Sequence, residues 1–264
     1  MKELCADLSA EYSQLAELVE ALTPKQWLQE TPFCGLTPWD EIANLCYFDE
    51  TGLLAATDPE AFTAETASLL KQFEKGIEID EVAHRRYGHL EGPRIVPYWR
   101  QKCERLIDVL SVMESRARLP WYGPTLSVRS FATSRMMEIW AHGRDIYRSV
   151  GKRQPVGDRL KNVAHLGVST YRWTFVNRHL PVPEPAPYIE LQAPSGEKWL
   201  WNDPASEDHS LRGSAEEFCL VATRRLNVAD TGLRFTGNAA KWLPIAQCFA
   251  GPPEEAPPPR PRAE

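Results

Sequence analysis

The segment RMMEIWAHGRDI, residues 135–146, has a helical period that sets Arg135, Glu138, His142 and Asp145 along one stripe, with Met137, Ile139, Ala141 and Ile146 beside it. A solvent-facing helix carries more Lys, Glu and Gln. Here Met136, Met137, Ile139, Trp140, Ala141, Ile146 and Tyr147 cover most of the circumference. The polar stripe is therefore expected to face a bundle interior or a cavity, where charges are costly unless paired, hydrated or metal-bound. Glu138 and His142 lie four residues apart and project the same way from adjacent turns, the spacing by which a helix offers a carboxylate and an imidazole to one divalent ion. The plainer alternative is an i,i+4 pair on a helix surface.

On the N-terminal side, Leu4, Leu8, Tyr12, Leu15, Val19 and Leu22 recur at three and four residues and predict a first helix, closed by Thr23-Pro24. A loop with Pro32, Gly35 and Pro38 leads to a second helix, with Thr37 as N-cap, Asp40 three residues on, and Asn44 in its middle. Residues 58–73 and 98–116 read as third and fourth helices, and the link between them holds Gly88, Gly92, Pro93 and Pro97. The turn at Leu119–Pro124 precedes the Glu138/His142 helix, expected over 128–150. Amphipathic helices of this length make an antiparallel four-helix-type bundle whose interior can host a site built from facing helices.

Composition changes after Gly151. One helix is expected over 158–177, followed by the proline-rich connector HLPVPEPAPY. Residues 188–192 and 199–201 read as a β-hairpin, Ser214 with Glu217 as a capping box opening a helix, 232–235 as a strand, and 239–249 as a last helix. The fold class is α+β: a helical bundle domain over 1–155, a small α+β domain over 156–250, and a disordered or extended Pro-rich tail over 251–264.

The 264 residues are 43% hydrophobic and 25% charged, which excludes a disordered chain, and a formal charge of −6 without a dense Lys/Arg tract argues against a nucleic-acid partner. No run approaches the ~20 apolar residues of a membrane span, and MKELCADLSAEY carries acids where a signal peptide needs an apolar core, so no membrane partner and a cytoplasmic location are expected. Cys5, Cys34, Cys46, Cys103, Cys219 and Cys248 form no CxxC pair and read as buried, reduced thiols. Cys46 lies two residues from Asn44, turned away by about 200° of helical rotation.

These residues carry a resemblance. GLTPWDEIANLCYFDE (35–50) resembles the G-W-T-x-x-D-x-x-x-H-L segment of the mycothiol-dependent maleylpyruvate isomerase family, within the wider DinB-like bundle superfamily. PWYGPTLSVRSFATSRMMEIWAHGRDI (120–146) and AAKWLPIAQCFAGPP (239–253) resemble its actinobacterial metal-binding branch. The resemblance implies a bundle that holds a divalent metal, usually zinc, by one His of the second helix and the Glu and His of the later one, with mycothiol as co-substrate. Carried over by position, the ligands are Asn44, Glu138 and His142, while Leu36 and Asn44 replace the family's Trp and His. An amide oxygen is a weak zinc donor, so the metal is expected to be held weakly or lost unless Asp40, Asp145 or another side chain supplies a donor.

Around this site, Arg129 and Arg135 are candidates to hold a substrate carboxylate, with neutralisation of Glu138 as the alternative for Arg135. Trp121 and Tyr122 either line a pocket mouth or pack at a turn, and His165 is either a core histidine or a substrate contact. Glu138, His142, Asn44 and Asp145 form the expected catalytic set. Three functions are open: a small-molecule isomerase or thiol-group transferase with an altered metal site; a metal-independent acid–base isomerase or cyclase of a specialised pathway; or a non-catalytic protein that sequesters a ligand. The C-terminal unit is left two roles, closing the pocket or pairing with another subunit in a homodimer.

Overall fold

The computed structural model describes residues 1–32, 35–204 and 208–261. The chain divides into two compact units, Met1–Gln154 and Pro155–Glu264. In the first, α1 (Lys2–Glu20), α3 (Pro38–Thr57), α6 (Ile95–Val112) and α7 (Val128–Ser149) form the bundle: α3 packs on α6 and α7, and α1 packs on the same two. Leu8, Val19, Ile42, Leu106, Leu110 and Phe131 are fully buried among them. Gly52 permits the close approach of α3 to α7, since a Cβ there would stand 2.5 Å from the Phe131 ring. The expected capping of the second bundle helix is present: Thr37 Oγ1 accepts from Asp40 N–H (3.3 Å), and the Asp40 carboxylate accepts from Thr37 N–H (2.7 Å).

The short α2 (Pro24–Trp27) precedes α3, and α4 (Pro59–Phe73) follows it, capped by Asp58, which accepts from Ala61 N–H at 3.0 Å. The segment read as a plain link contains α5 (Ile79–Tyr87). Its sequence IDEVAHRRY buries only Val82, Ala83 and Tyr87, so its apolar period is weak; polar contacts hold it instead, with Arg86 bridging Glu50 of α3 (3.0 Å) and Glu65 of α4 (2.7 Å). Helix α6 starts at Ile95 and runs through Pro97, which sits in the first turn, where a missing N–H costs nothing. It ends at Val112, and the residues beyond it form a small hairpin of β1 (Arg118–Leu119) and β2 (Leu126–Ser127) leading into α7.

The second unit is built on a four-stranded sheet of order β4-β3-β5-β6. The expected hairpin joins β3 (Tyr188–Gln192) to β4 (Lys198–Trp201), antiparallel with Ile189 opposite Trp201. Strand β5 (Ser210–Ser214) adds to the other side of β3 in parallel, and β6 (Arg234–Phe235) closes the edge. The helix expected over 158–177 is broken into α8 (Lys161–Ser169) and α9 (Tyr171–Asn177) at Thr170, whose hydroxyl back-bonds to Leu166 O and Gly167 O (both 2.9 Å). Helix α10 (Ala215–Ala222) packs on α8, β3 and β5. Its cap is half a capping box: Ser214 Oγ accepts from Glu217 N–H, but the Glu217 carboxylate accepts from Gly232 N–H at 3.1 Å. The last helix, α11 (Gly237–Trp242), is shorter than expected and gives way to a 3-10 turn containing Pro244.

Residues 251–261 run as chain without helix or strand, and side chains of the second unit hold their backbone. Asn177 donates to Gly251 O (3.1 Å), Arg224 to Glu254 O (2.9 Å) and Asn227 to Pro257 O (2.8 Å), while Asp230 accepts from Arg260 N–H (3.0 Å). Such carbonyls have no strand partner, so side-chain donors satisfy them. Among the described residues no helix is long and apolar enough to cross a membrane.

Candidate functional site

Two α3–α7 contacts organise the interior of the bundle, and their order shows the two helices to be antiparallel. Glu41, near the start of α3, meets His142 in the second half of α7; Asp49, eight residues further along α3, meets Arg135, seven residues earlier in α7.

At the first contact the Glu41 carboxylate, fully buried, lies in a very short contact with His142 Nδ1. Its other oxygen accepts from Thr31 Oγ1 at 3.0 Å, and Thr31 is fastened by its own N–H to Leu36 O at 2.7 Å. The opposite ring nitrogen, Nε2, lies 3.5 Å from the Glu138 carboxylate. The His142 side chain is 8% exposed and that of Glu138 31%, so solvent reaches the cluster at Glu138. Burial alone would push the imidazole toward its neutral form, but the Glu41 charge and hydrogen bonding to Glu138 and Glu41 outweigh it and raise the pKa to about 9. The two carboxylates therefore favour the protonated ring. Asn44 is half-buried three residues after Glu41, on the same face of α3. Asp145 is buried one turn beyond His142.

At the second contact Arg135 Nε donates to Asp49 Oδ1 (2.8 Å), which also accepts from Tyr12 Oη (2.5 Å). Asp49 Oδ2 accepts from Trp99 Nε1 (2.9 Å) and faces Cys103 Sγ (3.7 Å). A further Arg135 N–H reaches Leu45 O at 3.3 Å. Arg135, a candidate to hold a substrate carboxylate, is instead buried and committed to Asp49, because an unpaired cation at this depth would be costly.

The remaining expected residues have other surroundings. Arg129 is exposed in the first turn of α7, nine residues before Glu138, hence about 13 Å along the axis and on the opposite side. Trp121 stacks on Phe62 (5.7 Å, 9°) and meets Phe131 edge-on, and Tyr122 packs edge-on to Phe48 and Phe62. His165 is on α8 of the second unit, exposed rather than in the core, accepting from Trp201 Nε1 at 3.3 Å. Cys46 is buried, and burial pushes its thiol pKa up, which removes it as a nucleophile. Cys34 lies outside the described residues.

The donor set does not fit the three-ligand zinc site that the resemblance implies. Glu138 and His142 are strong donors, but the third position, Asn44, offers only an amide oxygen, a weak donor to zinc. Among the described residues no group of three His, Cys, Asp or Glu side chains is placed to share an ion. Glu41 and Thr31 were missed in the sequence, although Glu41 stands amid Trp39, Ile42, Ala43 and Leu45, an acid on a face with no solvent signature.

Comparison with known proteins agrees with this architecture. Two solved structures, of the mycothiol-dependent maleylpyruvate isomerase and of a His-to-Ala variant of it, superpose with TM-scores of 0.54 at 15% and 14% identity, covering 85% of this chain and 89% of theirs. At that identity the likeness concerns the fold. An uncharacterized protein of Mycobacterium tuberculosis, present in two strains, is 36% identical over 249 residues, 94% of this chain and 95% of the relative. The sequence model of the mycothiol maleylpyruvate isomerase N-terminal domain matches residues 8–147, more than half of the chain and nearly all of the first unit. The chain belongs to the mycothiol maleylpyruvate isomerase N-terminal domain family.

Proposed function

We propose that this chain is a small-molecule isomerase or thiol-group transferase that works by acid–base chemistry at Glu138 and His142, with mycothiol as the thiol co-substrate its family relationship suggests. The observation that carries the reading is the pairing of a partly exposed carboxylate with an imidazole whose far nitrogen is already engaged by Glu41. Glu138 is the group a substrate can reach. It takes a proton from a carbon next to a carbonyl, or from a thiol, while His142 Nε2–H hydrogen-bonds the oxygen on which negative charge develops. Return of the same proton from Glu138 to a different carbon completes an isomerisation with no net gain or loss; in the thiol branch the thiolate adds to a carbon–carbon double bond conjugated to the carbonyl, the resulting single bond rotates, and expulsion of the thiolate, which recovers its proton from Glu138, restores the double bond. Asn44 supplies a further amide donor from α3, and Asp145 supports the α7 side of the site. Since the donor set does not suit the family's zinc, none of these steps depends on an ion. The substrate is a small molecule in the cytoplasm.

The test is turnover of maleylpyruvate, with and without mycothiol, by wild type, Glu138→Gln and His142→Asn. An acid–base centre predicts that each variant loses about 100-fold or more in kcat while remaining folded. Variants that turn over as fast as wild type overturn the reading. The replacement of a ligand histidine by Asn44 favours a second reading, a protein that sequesters its ligand; it predicts no turnover in wild type and ligand binding that survives Glu138→Gln.

A further inference from the structure

Resting on the proposed acid–base role of His142, we infer that Thr31 and Glu41 are its positioning residues: together they hold Nδ1, so that Nε2 is the ring atom presented to Glu138 and to a substrate. Glu41 is wholly buried, where a carboxylate is stable only if its oxygens are satisfied. One is met by the Thr31 hydroxyl at 3.0 Å and the other by His142 Nδ1, so the ring can turn over only by leaving a buried carboxylate oxygen bare. An imidazole that flips or slides loses the alignment on which proton transfer depends, and a carboxylate behind the ring is a general means of preventing it. Thr31 lies outside the bundle helices, in the segment between α2 and α3, and Glu41 lies one residue past the Thr37–Asp40 cap. The capping box that sets the start of α3 therefore also sets the direction of the Glu41 side chain.

Neither residue is argued to touch substrate, so the decisive readout is spectroscopic. In protein carrying ¹⁵N-labelled histidine, with the His142 signals assigned by their loss in His142→Asn, the expected result is a downfield Nδ1–H proton protected from solvent exchange. Glu41→Gln is expected to abolish that resonance while the backbone amide spectrum is kept. Thr31→Val is expected to retain it with solvent exchange about tenfold faster. A wild-type spectrum in which Nδ1 bears no protected proton overturns the inference whatever the variants do, and so does an unaltered signal in Glu41→Gln. Wild type alone decides the matter if Glu41→Gln fails to fold. Loss of the catalytic reading with a protected Nδ1–H still present would leave a positioned but non-catalytic histidine, so the two failures are distinct.

Discussion

Helices α3 and α7 meet twice through charge, at Asp49–Arg135 and at Glu41–His142, and the two meetings differ in what is left over once the pair has formed. Around Asp49, Tyr12, Trp99, Cys103 and Arg135 surround a carboxylate that is 0% exposed, and its arginine is 3% exposed. Around Glu41 the carboxylate is also fully occupied, but its cation has a second face, and that face looks at a Glu138 that is 31% exposed. The same device, an acid from α3 against a base from α7, thus yields a closed joint at one level of the bundle and a reachable pair of ionisable groups about two turns of α3 away. Burial of charge does not by itself mark a site; burial with one side open to solvent is the better indicator.

The largest effect expected from breaking this comparison is on stability at the closed joint. Asp49→Ala leaves Arg135 buried without its counter-ion and deprives Tyr12 and Trp99 of their acceptor. Denaturant unfolding should show a loss of about 3–5 kcal/mol. Glu138→Gln, at the open pair, should cost less than about 1 kcal/mol in the same measurement, because solvent is at hand to rehydrate what it unpairs. Equal losses at the two positions would remove the distinction between joint and site.

A second prediction concerns the ligand that the family position lacks. Asn44→His adds an imidazole on the face of α3 that carries Glu41, and is expected to complete a His–Glu–His set with Glu138 and His142. Zinc titration by calorimetry on protein purified without chelator or nickel should show affinity at least about tenfold higher than wild type. No change would mean that residue 44 does not face the pair.

How much of this was legible beforehand depended on whether the partner was near in sequence. The Glu138/His142 stripe was readable because a 3.6-residue period is local, and the β3–β4 hairpin because its two strands are joined across Pro194–Glu197. Thr37 and Asp40 were readable as a cap for the same reason. Arg135 was legible as part of a buried stripe, but its hydrogen-bonded partner was not, since Asp49 is 86 residues away. Glu41 was missed because its meaning lies in His142, 101 residues on, and no spacing rule within either helix points across the bundle. The parallel addition of β5 to β3 likewise has no local signature, and α5 escaped notice because ion pairs rather than an apolar stripe hold it.

The smallest expected effect is on pH dependence, and it separates the two contacts without altering either. The folded-state pKa of His142 is raised from 6.5 to about 9. Below the unfolded value both states carry the proton, and the contribution of the Glu41–His142–Glu138 cluster to stability is complete. Between the two values the folded state still holds a proton that the unfolded chain has released, so each rise in pH favours unfolding, and above about 9 the contribution is gone. The stability difference between wild type and His142→Asn should therefore shrink as pH is raised from about 6 to about 10. The difference between wild type and Asp49→Ala should hold constant from about pH 6 to about 8, below the range in which Cys103 and Tyr12, which also face Asp49, ordinarily titrate, because burial, which opposes the charge on Arg135, is outweighed by Asp49, and the guanidinium pKa moves still higher. Thermal melts of the three proteins across the range measure both differences at once. A His142→Asn penalty that stays flat would mean that the imidazole is not held as a cation between its two carboxylates, and the open contact would then be no different in kind from the closed one.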